Sequence, residues 1–99
     1  MNREENIKGI ENYLSKDNSI IFIPTNEYVL NEFETGTKEI IRVITKGSIL
    51  LNIYNKNNQL LNEYEKEYES MTDDEIEYIA RIVEDYETEF EKTMKRIED

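Results

Sequence analysis

Carboxylates are the groups in this chain whose number and spacing could do chemistry. The 99-residue chain holds 23 Asp and Glu residues, and 15 of them lie in the acidic C-terminal third, residues 63–99. Every second residue from 63 to 69 is a glutamate, and four more acids follow between 73 and 77. Such a set could bind a metal ion, exchange protons or present a row of negative charge to a partner.

The composition argues against catalysis. The chain has neither His nor Cys, so the commonest general base, the thiolate nucleophile and the usual transition-metal ligands are missing. A catalytic carboxylate pair needs burial that separates its two pKa values, whereas these acids occupy alternating or solvent-facing positions. Neither a Gly-rich phosphate loop nor a calcium-loop pattern is present. We therefore expect a protein that is not an enzyme and holds no metal and no cofactor.

The charge balance narrows the class of partner. A formal net charge of −11 opposes direct binding to nucleic acid or to anionic membranes, both of which require Lys and Arg. It favours attraction to a basic protein surface. No apolar run approaches the roughly 20 residues that span a bilayer, and the absence of Cys suits a reducing compartment. We expect a cytoplasmic protein whose partner is a basic, nucleic-acid-binding protein.

The acidic segment can imitate phosphates in two geometries. On a strand, glutamates at every second position share one face at a spacing of about 6.6 Å. In a helix, residues 63–77 carry about one net charge per 3 Å, close to the 3.4 Å of a DNA strand. Tyrosine rings could add contacts to Arg, although a solvated surface accounts for the same charges. The candidate partner-binding residues are Glu63, Tyr64, Glu65, Glu67, Tyr68, Glu69, Asp73, Asp74, Glu75 and Glu77.

The N-terminal part of the chain is predicted to form a helix followed by a strand. Within Arg3–Lys16, Ile7, Ile10 and Leu14 recur at i, i+3 and i+7, which is typical of one apolar helical stripe. The helix is expected to stop at Asp17–Asn18. The apolar run that follows, residues 19–23, indicates a buried strand that ends at a proline.

The middle of the chain is predicted to form a hairpin. Residues 27–34 could be an edge strand or an ordered loop. Glu39–Thr45 and Ser48–Tyr54 are rich in β-branched and other apolar residues and flank a Lys-Gly link, with Gly47 expected to have a positive φ. The Asn-rich segment 55–58 predicts a second turn. The result is an antiparallel meander of three to four strands within a single α+β domain, residues 1–99.

The last part of the chain is predicted to be a long helix. Residues 59–70 could form either a third strand of the meander, which the preceding turn favours, or a helix with an apolar stripe. Thr72 and Glu75 have the spacing of a capping box, with Met71 and Ile76 as a hydrophobic staple. An apolar stripe follows at helical spacing: Ile76, Ile79, Val83, Tyr86, Phe90, Met94 and Ile97. This stripe faces either the core or the seam of a homodimer.

The element order and one short strand resemble the anti-CRISPR proteins, small acidic phage proteins that inhibit RNA-guided nucleases. The chain shares the order of an N-terminal helix, a small antiparallel sheet and an acid-rich helical end. The segment Glu39-Ile40-Ile41-Arg42-Val43 is similar to the central strand of one such inhibitor. The resemblance implies a protein that mimics DNA and occupies the DNA-binding channel of a CRISPR effector nuclease.

Two functions are therefore expected from the sequence. The first is a non-enzymatic phage or mobile-element inhibitor whose acidic surface blocks the nucleic-acid-binding channel of a host defence nuclease. The second is a structural or interaction protein, such as an antitoxin or assembly subunit, that forms a homodimer through its C-terminal helix. An enzyme is the third and weakest alternative.

Overall fold

The fold is an antiparallel sheet with a helix at each end of the chain. The computed structural model describes residues 2–16 and 19–98, with side chains to residue 89. The predicted α+β order is confirmed, whereas the stop at Asp17–Asn18 and the terminal residues 1 and 99 lie outside the described residues. The elements are α1 (Arg3–Lys16), β1 (Ile20–Phe22), β2 (Val29–Glu32), β3 (Lys38–Thr45), β4 (Ser48–Tyr54), β5 (Leu60–Glu67), a 3-10 turn (Tyr68–Ser70) and α2 (Asp73–Glu98).

The sheet has five strands but is four strands wide. Strand β3 pairs with β4 on one side and with both β1 and β2 on the other, while β5 pairs with β4. Residues 27–34, for which the sequence allows either an edge strand or an ordered loop, contain β2. This strand follows β1 along the same edge of β3. Two backbone bonds bridge the gap between them: Ile23 N–H donates to the Arg42 carbonyl at 2.8 Å, and Ile41 N–H donates to the Tyr28 carbonyl at 2.9 Å.

The two hairpin turns that the sequence predicts, between β3 and β4 and between β4 and β5, differ in how they reverse the chain. In the β3–β4 turn the expectation for Gly47 is wrong, because its φ is not positive. The turn is held by the Thr45 hydroxyl, which donates to the Ser48 carbonyl at 2.9 Å and accepts from Ser48 N–H at 3.2 Å. In the β4–β5 turn, Asn58 has a φ of 61°, which agrees with the predicted turn because Asn tolerates the left-handed region of positive φ.

The core lies between one face of the sheet and the two helices. Alternation along the strands turns every second side chain toward the helices, and both helices contribute an apolar stripe. Fourteen buried residues form this core: Ile10, Leu14, Ile21, Ile23, Ile41, Ile44, Ile49, Leu51, Tyr68, Met71, Ile76, Ile79, Ile82 and Val83. The predicted stripe of α2 omitted Ile82, and its last three members, Phe90, Met94 and Ile97, lie where side chains are not described.

The helices run side by side in the same direction. Arg3, at the start of α1, donates to the Met71 carbonyl at 2.7 Å and contacts Asp73 at 3.1 Å. Thirteen residues later, Lys16 forms an ion pair with Glu87 at 3.1 Å. The predicted capping box at the start of α2 is present, since Glu75 N–H donates to the Thr72 hydroxyl at 3.1 Å and Thr72 N–H donates to the Glu75 carboxylate at 2.9 Å.

Removing the cap should destabilise the protein measurably. We expect Thr72→Ala to lower the free energy of unfolding by about 1 kcal/mol, because the Glu75 N–H loses its acceptor at an exposed helix end. Thr72→Ser keeps the hydroxyl and serves as the matched control. Urea denaturation of the three proteins tests this, and an alanine variant as stable as wild type would show that the bond carries no stability.

Candidate protein-binding face of the sheet

Strand β5 places three glutamates on the face of the sheet that the helices do not cover. The strand interpretation of residues 60–67 is confirmed. Glu63, Glu65 and Glu67, here called the carboxylate row, are exposed. They pair in register with Asn52, Leu50 and Ser48 on β4. Glu69 leaves the row because β5 ends at residue 67 and a 3-10 turn follows.

A row of apolar side chains lies on the same outer face. The register pairs Phe22 with Val43 and Val43 with Leu50 across three neighbouring strands, and Leu50 in turn pairs with Glu65. With Ile20, two positions before Phe22 on β1, these residues form what we call the apolar ladder: Ile20, Phe22, Val43 and Leu50. Phe22 is 70% exposed and Leu50 is 42% exposed. No member of the ladder belongs to the core cluster.

The ladder and the carboxylate row meet at a shallow concavity of about 520 Å³. Its lining residues are Arg42, Val43, Leu50, Leu51, Asn52, Glu63, Tyr64 and Glu65. The Arg42 guanidinium points to the loop after β1, where it donates to the Thr25 carbonyl and to the Asn26 side chain, both at 2.9 Å. Glu65 accepts one bond from the Ser48 hydroxyl at 3.0 Å. The concavity therefore has an apolar floor with carboxylates along its β5 side.

The two candidate tyrosines do not lie beside the carboxylate row. Tyr68 is only 4% exposed, and its hydroxyl donates to the Thr45 carbonyl, so its predicted role as an interface anchor is wrong. Tyr64 pairs with Leu51 on the inner face of the sheet, is half-buried, and donates to Glu39. Burial raises the pKa of both tyrosines, and at Tyr64 the bond to the Glu39 carboxylate adds to the effect.

The candidate acids of α2 belong to other surroundings. Asp73 pairs with Arg3, and Glu77 pairs with Arg81 at 2.8 Å within the helix. Glu77 also lines a groove of about 480 Å³ between the two helices. Asp74 is exposed. These acids lie on or near the helical layer, so the ten candidate residues do not form one continuous acidic surface.

Glu75 is part of a polar cluster on the helix side of the sheet, so its predicted role as a phosphate mimic is wrong. Its carboxylate accepts from Lys66 at 2.9 Å and from Asn31 at 3.0 Å, and its side chain is 10% exposed. Asn31 also donates to the buried Glu39 at 2.7 Å, which links β2, β3, β5 and α2. Desolvation alone would raise the Glu75 pKa, but the bonds from Thr72, Lys66 and Asn31 outweigh it and hold the pKa below its ordinary value.

The carboxylate row is the part of the acidic segment in which exposed carboxylates share one face of a strand. Neighbouring carboxylates about 6.6 Å apart repel each other by only about 0.6 kcal/mol in water, so the fold tolerates the row. The same charges would interact more strongly with a cation once the surrounding water is excluded. An arrangement of this kind can steer and hold a basic surface.

Comparisons with protein families, with curated proteins and with solved structures gave no match. Among the side chains that the structure describes, those of residues 2–16 and 19–89, no group of three or more acidic, His or Cys residues is arranged to hold a metal ion. In the same part of the chain, no helix is both long enough and apolar enough to cross a bilayer. The candidate site therefore has to be judged on its own geometry.

The lowered pKa of Glu75 predicts a pH-dependent contribution to stability. Because the pKa is lower in the folded state, the stabilisation is present above the ordinary value of about 4.3 and is lost as the pH falls through the folded-state pKa. We expect Glu75→Gln to lower the free energy of unfolding by about 1–2 kcal/mol at pH 7, since Lys66 and Asn31 lose a charged acceptor.

Denaturant titrations at pH 7 and at about pH 3 test this expectation. The difference in the free energy of unfolding between wild type and Glu75→Gln should be smaller at the lower pH. Glu69→Gln, at an exposed position of the 3-10 turn, is the control and should change stability little at either pH. A Glu75→Gln difference that is equal at both pH values would contradict the charged role of Glu75.

Proposed function

We propose that this protein is a non-enzymatic inhibitor that covers the basic nucleic-acid-binding surface of another protein with the outer face of its sheet. The observation that carries the proposal is the carboxylate row, three exposed glutamates held in register on one face of β5. A rigid strand fixes their spacing, so the charges are arranged before binding and little order has to be imposed. The chain's net charge of −11 draws it toward a basic partner over long range.

The partner to test first is an RNA-guided nuclease. The resemblance of the element order and of Glu39–Val43 to anti-CRISPR proteins suggests this class. Such a nuclease holds its guide–target duplex in a positively charged channel and recognises the backbone rather than the sequence. A carboxylate row can compete for the same cations. On this proposal the protein is encoded by a phage or mobile element and acts in the cytoplasm of the host cell.

Competition with DNA tests the proposal. Wild type should displace fluorescent duplex DNA from a guide-loaded RNA-guided nuclease. The triple variant Glu63→Gln, Glu65→Gln, Glu67→Gln keeps the shape of the row and removes its charges. We expect its displacement of DNA to be at least about tenfold weaker, because it loses three contacts that are each worth up to about 1 kcal/mol at 4 Å in water. Raising the salt from about 0.1 M to 1 M should weaken wild type much more than the variant.

A second triple variant controls for net charge. Glu34→Gln, Glu69→Gln and Glu84→Gln remove the same number of charges at exposed positions on other elements. This control should displace DNA almost as well as wild type. If both triple variants displace DNA equally weakly, the effect comes from total charge and the row has no special part in binding. If the row variant displaces DNA as wild type does, the row is only a solvated surface.

The second candidate function is homodimerisation through α2, which its length favours. The helix continues to Glu98, eleven residues past Glu87, where the ion pair with Lys16 marks the end of α1. Those turns have a length of about 16 Å. A protein of this kind, an antitoxin or assembly subunit, would be a stable dimer.

Light scattering of the full chain separates this candidate from a monomeric inhibitor. We expect the mass of one chain, 11.9 kDa, because the first proposal needs no second copy. A concentration-independent mass of twice that value would favour dimerisation. If α2 forms the interface of that dimer, a chain shortened after Glu87 should have the mass of a monomer.

A further inference from the structure

We infer that the outer face of the sheet binds an amphipathic segment of a partner protein, with a large apolar side chain in the concavity and Lys or Arg side chains on the carboxylate row. This inference rests on the proposed function and specifies its partner. It predicts that the contact is not a pure imitation of DNA, because the phosphodiester backbone of DNA has no large apolar group equivalent to Phe22 or Leu50. The partner surface must offer both kinds of contact within a few ångströms.

The contiguity of the apolar ladder is the first support. Single exposed apolar residues are ordinary on protein surfaces, but contiguous apolar patches mark interaction sites. The strand pairing sets Phe22, Val43 and Leu50 side by side on neighbouring strands, which are about 4.8 Å apart. Ile20 extends the patch along β1. The patch is therefore wide enough to receive a large apolar side chain.

The position of the carboxylates beside the patch is the second support. Glu65 is the register partner of Leu50, and Glu63 lines the same concavity. A partner that covers Leu50 excludes water from these carboxylates, which raises the cost of leaving them without a cation. The apolar contact and the cationic contact thus reinforce each other in one segment. Arg42 does not supply this cation, because it is bound to the loop at Thr25 and Asn26.

A second copy of this chain does not fit the face. If β5 of a second copy paired antiparallel with the free edge of β5 about a two-fold axis, the carboxylates of the two rows would lie opposite one another. Like charges directly opposite on neighbouring strands are destabilising. Stacking two outer faces would bury the row against a chain that also carries a net charge of −11. The occupant is therefore a cationic partner.

Two synthetic peptides test the inference. Both have the same length and the same number of lysines, and they differ only in having Leu or Ser between the lysines. Each is titrated into the full-length ¹⁵N-labelled protein at about 0.05 M and 0.5 M salt. We expect the Leu peptide to bind at least roughly tenfold more tightly than the Ser peptide. It should shift the amide signals of Phe22, Val43, Leu50 and residues 63–67, and it should remain bound at the higher salt.

Variants separate this inference from the proposed function. Phe22→Ser with Leu50→Ser should keep the melting temperature, because neither residue is in the core cluster, and should remove the advantage of the Leu peptide. Leu50→Thr is the alternative if the double variant fails to fold. The triple Gln variant of the carboxylate row should lose the salt-dependent part of binding and keep the preference for Leu.

The outcomes that overturn the inference are distinct. Equal binding of the two peptides, no binding of the Leu peptide at millimolar concentration, or signal changes confined to the groove between the helices would each overturn it and leave the charge-based proposal in place. Unchanged binding by the triple Gln variant would instead remove the proposed function. A dimer of wild type that Leu50→Thr dissociates would show that a second copy occupies the face.

Discussion

Both helices pack on the same face of the sheet, and much of the rest of the molecule follows from this arrangement. The core cluster joins α1 and α2 to inward side chains of β1, β3 and β4, such as Ile21, Ile41 and Leu51. Among the described residues, no element packs on the opposite face. Alternation then sets the surroundings of most strand residues, with one position in the core and the next facing outward. Strand β3 departs from it, because residues 39–41 are all buried and a bulge shifts the register between Ile41 and Val43. The open face is the necessary counterpart of a two-layer core in a chain of this length.

Strand β5 combines this alternation with its position at the edge of the sheet. Exposed edges are templates for unwanted pairing, and charged side chains are one way in which proteins protect them. Glu63, Glu65 and Glu67 oppose pairing with another copy of the same strand by repulsion. The same carboxylates can accept a basic partner. Protection of the edge and selection of a partner by charge are therefore compatible roles of one set of residues.

Much of the fold could be predicted from the sequence, because its signals are local. The apolar stripe of α1, the capping box at Thr72 and the Asn-rich turn depend on residues within a few positions of one another. The spacing of Glu63, Glu65 and Glu67 likewise fixed their common face once a strand was assumed. The same alternation puts Tyr64 on the opposite, helix-covered face, so its distance from the carboxylate row is a consequence of the register.

What could not be predicted depends on tertiary contacts. Tyr68 follows the end of the strand and enters the core, where its hydroxyl reaches the Thr45 carbonyl. Glu75 has the sequence signature of a cap, but its bonds to Lys66 and Asn31 require the packing of α2 on the sheet. The apolar ladder was hidden because the runs that contain Phe22 and Leu50 are continuously apolar. No local signal distinguishes the two faces of such a run, because both faces carry apolar residues.

The energetics of the outer face explain why its two kinds of residue belong together. An exposed ion pair contributes about 0–1 kcal/mol, so the carboxylate row alone supplies attraction and orientation more than affinity. Burying a side chain such as Phe22 or Leu50 contributes about 1.5–3 kcal/mol, but it has no preference for a basic partner. The free protein forgoes that apolar stabilisation, which remains available for association. In the proposed complex, charge would select and steer the partner, while the apolar ladder would lower the rate of dissociation.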